Sequence, residues 1–173
     1  PLCDVPEIGI GNKPIDDGNY LFTPQEKEAF LATEAAAKPY FRRWLGSDEF
    51  INGIERWCLW VGDCPPNILR SMPHVMERVD AVRRFRQSSR SAPTQRLAET
   101  PTRFHVENIP ERRFLLIPKT SSERRQYIPI GFISPSTLVG DAAFIIPNAT
   151  SYHFGILTST MHMAWVRQVC GRL

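Results

Sequence analysis

The chain has 173 residues, 42% of them hydrophobic and 23% charged, with a formal net charge of +3 at pH 7. That is enough apolar material to bury a core of ordinary domain size, which excludes a disordered tail, and the predicted organisation is one domain over residues 1–173. No run of about 18 apolar residues occurs, which excludes a membrane-spanning helix, and the lack of a basic–apolar–small leader predicts a cytoplasmic protein.

The charge is unevenly spread. Residues 1–69 hold 6 Lys/Arg against 11 Asp/Glu, residues 70–125 hold 13 against 6, and residues 126–173 hold 2 against 1. Seventeen of the 21 basic residues are arginine. The planar guanidinium fork donates two parallel hydrogen bonds to phosphates and base edges. An Arg-rich middle third beside an acidic first third is therefore an electrostatic footprint of nucleic-acid binding. The alternatives are a solvated helix face and an Arg-rich surface that docks an acidic protein partner. Cys3, Cys58, Cys64 and Cys170 show neither a pairing pattern nor zinc spacing and are expected to be reduced and mostly buried. A start at Pro1 and an end directly after a long apolar segment predict a piece of a longer protein.

Residues 1–19 read as an extended, turn-rich segment punctuated by Gly9, Gly11, Pro14 and Asp16-Asp17-Gly18, and Tyr20-Leu21-Phe22 as a short strand. Thr23-Pro24-Gln25-Glu26 supplies an N-cap hydroxyl, a proline at the first helical position and a capping-box glutamate. The predicted helix runs to about Ala37, with Ala29, Phe30, Ala32 and Ala36 as its apolar face. Pro39 ends it, and Tyr40, Phe41, Trp44 and Leu45 are placed in a short turn. Arg56–Val61 reads as a buried strand. From Pro65 to Leu97 the pattern is helical, with breaks at Pro73 and Pro93; Val75, Val79, Val82 and Phe85 or Arg86 keep the helical period. Arg83, Arg84 and Arg86 are expected to project away from that stripe, to solvent or a partner. Three β-rich runs follow, Arg113–Ile117, Tyr127–Phe132 and Ala142–Ile146, and then a helix from about Tyr152 to Cys170. The predicted class is α+β, a mixed α/β fold: a small twisted sheet flanked by helices, with a long C-terminal helix.

Catalytic patterns are scarce. Gly9-Ile10-Gly11-Asn12 lacks the spacing of a phosphate loop, and there is no Gly-x-Ser-x-Gly or His-Glu-x-x-His. Asp63-Cys64-Pro65-Pro66-Asn67 resembles the amino-methyltransferase tetrapeptide only loosely, because a cysteine interrupts it and asparagine replaces the aromatic ring; a Pro-Pro helix start is the favoured reading. His153 and His162, nine apart, are expected to be satisfied core or groove residues. An enzymatic role for Cys64 or His162 would need a nucleophile–base pair that the sequence does not show. No metal site is predicted, and Asn148-Ala149-Thr150 carries no weight as a sequon.

Binding patterns are richer. Lys119-Thr-Ser-Ser-Glu-Arg-Arg-Gln-Tyr127 gathers hydroxyls, an amide, an aromatic ring and three cations in a loop between strands, where recognition residues collect on a rigid sheet. Such groups donate to phosphates or read base edges. Asp141, the sole acid after residue 125, could accept from the exocyclic amine of cytosine or pair internally with Arg124 or Arg125.

The block Phe114-Leu-Leu-Ile-Pro-Lys-Thr-Ser-Ser-Glu-Arg-Arg-Gln-Tyr-Ile-Pro-Ile-Gly-Phe132 and the closing 29 residues, Ile145-Ile-Pro-Asn-Ala-Thr-Ser-Tyr-His-Phe-Gly-Ile-Leu-Thr-Ser-Thr-Met-His-Met-Ala-Trp-Val-Arg-Gln-Val-Cys-Gly-Arg-Leu173, closely resemble the target recognition domain of the MmeI-like type IIL restriction–modification enzymes. Gly11-Asn-Lys-Pro14, Glu49-Phe-Ile-Asn-Gly53, Arg56-Trp-Cys-Leu-Trp60 and Leu97-Ala-Glu-Thr-Pro101 agree, so the likeness covers nearly the whole chain. The resemblance implies a sequence-choosing, non-catalytic part of a large polypeptide that methylates adenine N6 in double-stranded DNA with S-adenosylmethionine, in many members fused to a nuclease. The cofactor would sit in a methyltransferase core upstream in the same chain, and the target adenine would be extruded into that core. Base readout is implied near Lys119 and at Asp141 and Ala142, with a further specificity pair expected beyond Leu173. Ser121, Ser122, Arg124 and Arg125 become the expected phosphate contacts, as do Arg83, Arg84 and Arg86, and Lys13 is expected to face the hinge to the methyltransferase core. Trp57, Trp60, Met161, Met163 and Trp165 are assigned to the core.

Overall fold

Prolines and capping residues set most element boundaries of the chain, which a computed structural model describes over residues 5–170. In chain order, β1 (Gly9–Ile10) and β2 (Leu21–Phe22) lead into α1 (Pro24–Thr33) and a 3-10 segment (Ala35–Tyr40), followed by β3 (Phe41–Leu45), α2 (Ser47–Asn52) and β4 (Trp57–Leu59). Next come α3 (Pro66–Arg70), α4 (Pro73–Gln87), α5 (Ala92–Arg96) and a second 3-10 segment (Leu97–Glu99). Four strands, β5 (Phe114–Pro118), β6 (Gly131–Ile133), β7 (Thr137–Val139) and β8 (Ala143–Ile146), precede α6 (Ser151–Leu157) and α7 (Thr160–Val169). Among the described residues no helix is long and apolar enough to cross a membrane.

The chain divides into two compact units, one made of residues 5–11, Leu45–Gly53 and 108–170, the other of Asn12–Trp44 and Ile54–Glu107. The first unit is built on an antiparallel sheet in the order β1-β8-β5-β6. β5 is central and buried along its whole length, which is why Phe114-Leu-Leu-Ile117 is a continuous apolar run rather than an alternating one. Its two faces feed separate clusters. Phe114 and Leu116 pack with Leu45, Val139, Ala143 and Ile145 and with Phe50 of α2, whereas Leu115, Ile117 and Ile146 pack with Ile130, Phe132 and with Phe154 and Leu157 of α6. Gly131 leaves room for the Phe50 ring in that packing: a Cβ there would lie 2.8 Å from the ring and push it aside.

In the second unit β4 lies between β2 and β3, again antiparallel. α4 lays Val75, Val79, Val82 and Arg86 against the buried residues of that unit. Trp60, Trp44 and Tyr20 converge on Phe104, with the Trp60 and Phe104 ring centroids 4.6 Å apart. The Thr23–Glu26 capping box forms as the sequence indicates, with both reciprocal bonds present.

Several expectations are corrected. The structure has two small sheets rather than one. Phe41–Leu45 is a strand, not a turn, because its apolar residues are held by pairing with β4. Ala29, Ala32 and Ala36 are exposed, and of the expected apolar face Phe30 alone turns inward, against Phe22 and Phe41. The C-terminal helix is broken in two at Thr158-Ser159, where the Ser159 hydroxyl accepts from the His162 N–H and starts a new helix. Cys170 is exposed, Cys58 and Cys64 are buried and free, and Cys3 lies outside the described residues.

Candidate nucleic-acid interface

The antiparallel β5–β8 ladder ends with Pro118 opposite Ala143. One step further, the Lys119 N–H donates to the Ala142 carbonyl at 3.1 Å. Lys119, Asp141 and Ala142, widely separated in sequence, thus stand together at one end of the sheet. Asp141 and Ala142 are the two central residues of a tight turn closed by the Ala143 N–H donating to the Gly140 carbonyl at 3.1 Å. Lys119 and Ala142 are exposed, and Asp141 is half-buried. The Lys119 ammonium lies 5.4 Å from the centre of the Phe144 ring, within cation–π range, on the edge of an apolar cluster. A cation, a carboxylate and a methyl side chain close together at one end of a sheet can offer a donor, an acceptor and a steric opening to one ligand.

The turn is rigid because its backbone is over-determined. The Gly140 N–H donates to the Leu45 carbonyl at 2.9 Å, and the Ala143 carbonyl accepts from the Gly11 N–H at 3.0 Å. The buried hydroxyl of Ser47, first residue of α2, donates to the Ala142 carbonyl. Gly11 has no room for a side chain: a Cβ would lie 2.2 Å from the Gly140 carbonyl oxygen. Gly11 therefore closes onto the backbone of Val139 and Gly140, and a Cβ at Gly9 would lie 2.9 Å from the Asn108 side chain. Among the described residues no three His, Cys, Asp or Glu side chains converge to hold a metal ion.

The loop after Lys119 carries the other expected contacts. Ser122, Arg124 and Arg125 are exposed. A small turn, with the Arg125 N–H on the Ser122 carbonyl at 3.0 Å and the Arg124 N–H on the Ser122 hydroxyl at 3.2 Å, holds them. Arg167 of α7 clasps the far side of the loop, donating to the Gln126 carbonyl at 2.8 Å. Ser121 departs from expectation: its hydroxyl oxygen is shut away from solvent without a hydrogen-bond partner, so it is not presented to a phosphate.

Of the three α4 arginines expected to project, Arg84 is exposed, and Arg83 is half-exposed and bonded to Asp80 one turn earlier. Arg86 does not project at all. It is fully buried, and its five N–H donors go to the carbonyls of Pro14, Ile15, Leu97, Thr100 and Arg103 at 2.8–3.0 Å. A guanidinium with every donor spent on backbone is a staple, not a phosphate contact. Lys13 is exposed, and its backbone forms an antiparallel bridge with Val106 in place of the expected turn.

Asp63-Cys64-Pro65-Pro66 starts α3, and Asp63 accepts from the Trp60 indole at 2.9 Å and from Arg103 at 3.1 Å. His153 accepts from the Thr150 N–H at 3.0 Å, and the His162 ring bonds the Leu157 carbonyl at 2.8 Å. Trp60 and Met163 are buried and Trp57 half-buried, but Met161 and Trp165 are 83% and 67% exposed and do not belong to the core. Sequence reasoning missed Ser47, Gly11 and Arg167. The only available signal was a glycine ahead of a Lys-Pro pair, which shows no partner until the fold brings Gly140 to it.

A family model described as MmeI, target recognition domain, matches residues 1–173. DNA methyltransferase A of Bacillus subtilis (strain 168) is 37% identical over 173 residues, covering 100% of this chain and 20% of that protein. The solved structure of the Type IIL restriction-modification enzyme MmeI in complex with DNA is 46% identical, with a TM-score of 0.96, covering 100% of this chain and 23% of that one. The chain thus spans about a fifth of the length of these relatives.

Proposed function

Because the chain belongs to the MmeI target recognition domain family over its whole length, we propose that it is the part of a longer DNA methyltransferase that grips double-stranded DNA and selects the sequence to be modified. The observation that carries this reading is the register of β5 on β8, which gathers Lys119, Asp141 and Ala142 at one end of the sheet with Ser122, Arg124 and Arg125 in the loop that follows. In the proposed complex the Lys119 ammonium donates to acceptors of a base edge, and the Asp141 carboxylate accepts from an exocyclic amine. Ala142 is small enough for a base to approach. Ser122, Arg124 and Arg125 bond phosphate oxygens, which sets the register on the duplex without reading sequence.

The proposal extends to the whole polypeptide. Its chemistry is methylation of adenine N6 in a restriction–modification setting, in the cytoplasm. S-adenosylmethionine is held by a methyltransferase core elsewhere in the same chain, and the methyl group comes from it. In this reading residues 1–173 set the register of the DNA and take no part in methyl transfer.

Fluorescence-anisotropy titration with random-sequence duplex at two salt concentrations tests the grip. Binding that weakens steeply with salt is expected, and Arg124→Ala should lower the log–log salt slope by about one while weakening all sequences alike. An unchanged slope removes Arg124 from the phosphate contacts, and absence of binding at low salt contradicts the proposal.

A further inference from the structure

Ser47 lies at the foot of the Asp141–Ala142 turn and its own backbone is anchored. The Glu49 carboxylate accepts from the Gly46 N–H at 2.9 Å, the Phe50 N–H donates to the Gly46 carbonyl at 3.1 Å, and the Phe50 ring packs into the cluster around Phe114 and Leu116. A short helix with one end fixed by a cap and the other by a buried ring holds the Ser47 hydroxyl at a set height. That hydroxyl donates to the Ala142 carbonyl, which also accepts the Lys119 N–H. One carbonyl oxygen therefore joins three elements: the end of β5, the start of β8 and the first residue of α2.

We infer that Ser47 is a specificity-positioning residue, fixing through the Ala142 carbonyl the height at which Asp141 and Ala142 meet a base edge. The inference rests on the reading of that turn as a base-contacting element. Ser47 is itself only 8% exposed, so its part is to position the turn and not to meet a base. Its role follows from tolerance: a hydrogen-bonding constellation must be held within about 0.5 Å of its productive geometry to discriminate. Removing the hydroxyl leaves the Ala142 carbonyl held by Lys119 alone, with vacated space beneath it for the turn to settle into. The Gly140 N–H on the Leu45 carbonyl and the Gly11 N–H on the Ala143 carbonyl still hold the two ends of the turn, so the shift is confined to Asp141 and Ala142.

The test is the spectrum of sites methylated by the full-length polypeptide, read by sequencing for the parent, Ser47→Ala, Ser47→Thr and Asp141→Ala. Ser47→Ala is expected to relax preference by about five- to tenfold at one base position, a fraction of the usual cost of a mismatched pair. Asp141→Ala should relax the same position, and Ser47→Thr, which restores a hydroxyl, should recover most of the preference. Hydrogen–deuterium exchange supplies a second readout, with protection over residues 140–147 falling selectively in Ser47→Ala. If Asp141→Ala changes the preference while Ser47→Ala only lowers activity uniformly at all sites, the positioning role is wrong and the base-reading turn stands. If Asp141→Ala leaves the preference unchanged, the turn does not read bases and both ideas fall.

Discussion

Replacing Arg86 with glutamine separates a staple from a DNA contact. In the native fold the guanidinium joins Pro14 and Ile15, the second 3-10 segment with Thr100, and Arg103, through five charge-assisted bonds. Two of the anchored carbonyls flank a strained site: Ile15, a β-branched residue, is held at φ 51°. Burial pushes the Arg86 pKa down, but the group stays charged at neutral pH. Bonds to a charged group contribute about 1.5–3 kcal/mol each in isolation and are not additive within one cluster. Glutamine is shorter and keeps at most two donors, so a loss of about 4 kcal/mol is expected, a large share of the ~5–15 kcal/mol that stabilises a folded chain. For a chain of this size that lowers the melting temperature by roughly 10–15 °C. Lysine, with three donors and no fork, should recover only part of it. Arg84→Gln, on the exposed side of the same helix, should stay within about 0.5 kcal/mol of the parent. Calorimetry on all three variants checks this, together with DNA titration at a temperature where each is folded. An Arg86→Gln protein that melts with the parent but loses affinity and salt slope would refute the staple and restore Arg86 to the phosphate contacts.

Gly11→Ala forces a methyl group to within 2.2 Å of the Gly140 carbonyl oxygen, so the β1–β8 pairing must open; calorimetry should show a loss of about 2 kcal/mol or more. An unchanged melting temperature would mean that the turn is not clamped from that side. Asp63→Asn tests a pH-dependent contribution. The Trp60 indole N–H, and after it the Arg103 guanidinium, hold the Asp63 pKa below its ordinary value of 3.8. A carboxylate with a depressed folded pKa stabilises above its unfolded pKa and loses that contribution as pH falls through the folded one. The variant should therefore be less stable than the parent at pH 7 by under about 1 kcal/mol, since Asp63 is largely exposed, and the gap should close below pH 3.8. A gap that persists in strong acid would assign the effect to packing.

The inner strands β5 and β8 of the first unit were legible because their burial is written in residue type, as in Phe114-Leu-Leu-Ile117; the expected Tyr127–Phe132 strand is reduced to the half-buried Gly131–Ile133, and the short β7 carries too little pattern to stand out. The candidate site was legible only as separate pieces. The Lys119 loop stood out by its cations and hydroxyls and Asp141 by its isolation, but their adjacency depends on the register of two antiparallel strands, a non-local pairing that no local pattern encodes. Ser47 and Gly11 were invisible for the same reason, since each acts on a backbone carbonyl far away in sequence. The α7 error has a different origin. A charge-poor helix reads as core, yet only Met163 is buried and Trp165 lies outside, because side-chain type does not say which face a neighbour covers. Arg86 shows position and type in direct conflict. Val75, Val79, Val82 and residue 86 keep the i+4, i+3, i+4 spacing of one helical face, so position placed it inside while its charge argued for the surface. A cation on an inward stripe must either snorkel out or find a partner for every donor. Here the carbonyls of Pro14 and Ile15, of Leu97 and Thr100 around the second 3-10 segment, and of Arg103 supply those acceptors. Position prevailed because the backbone offered as many acceptors as the guanidinium has donors.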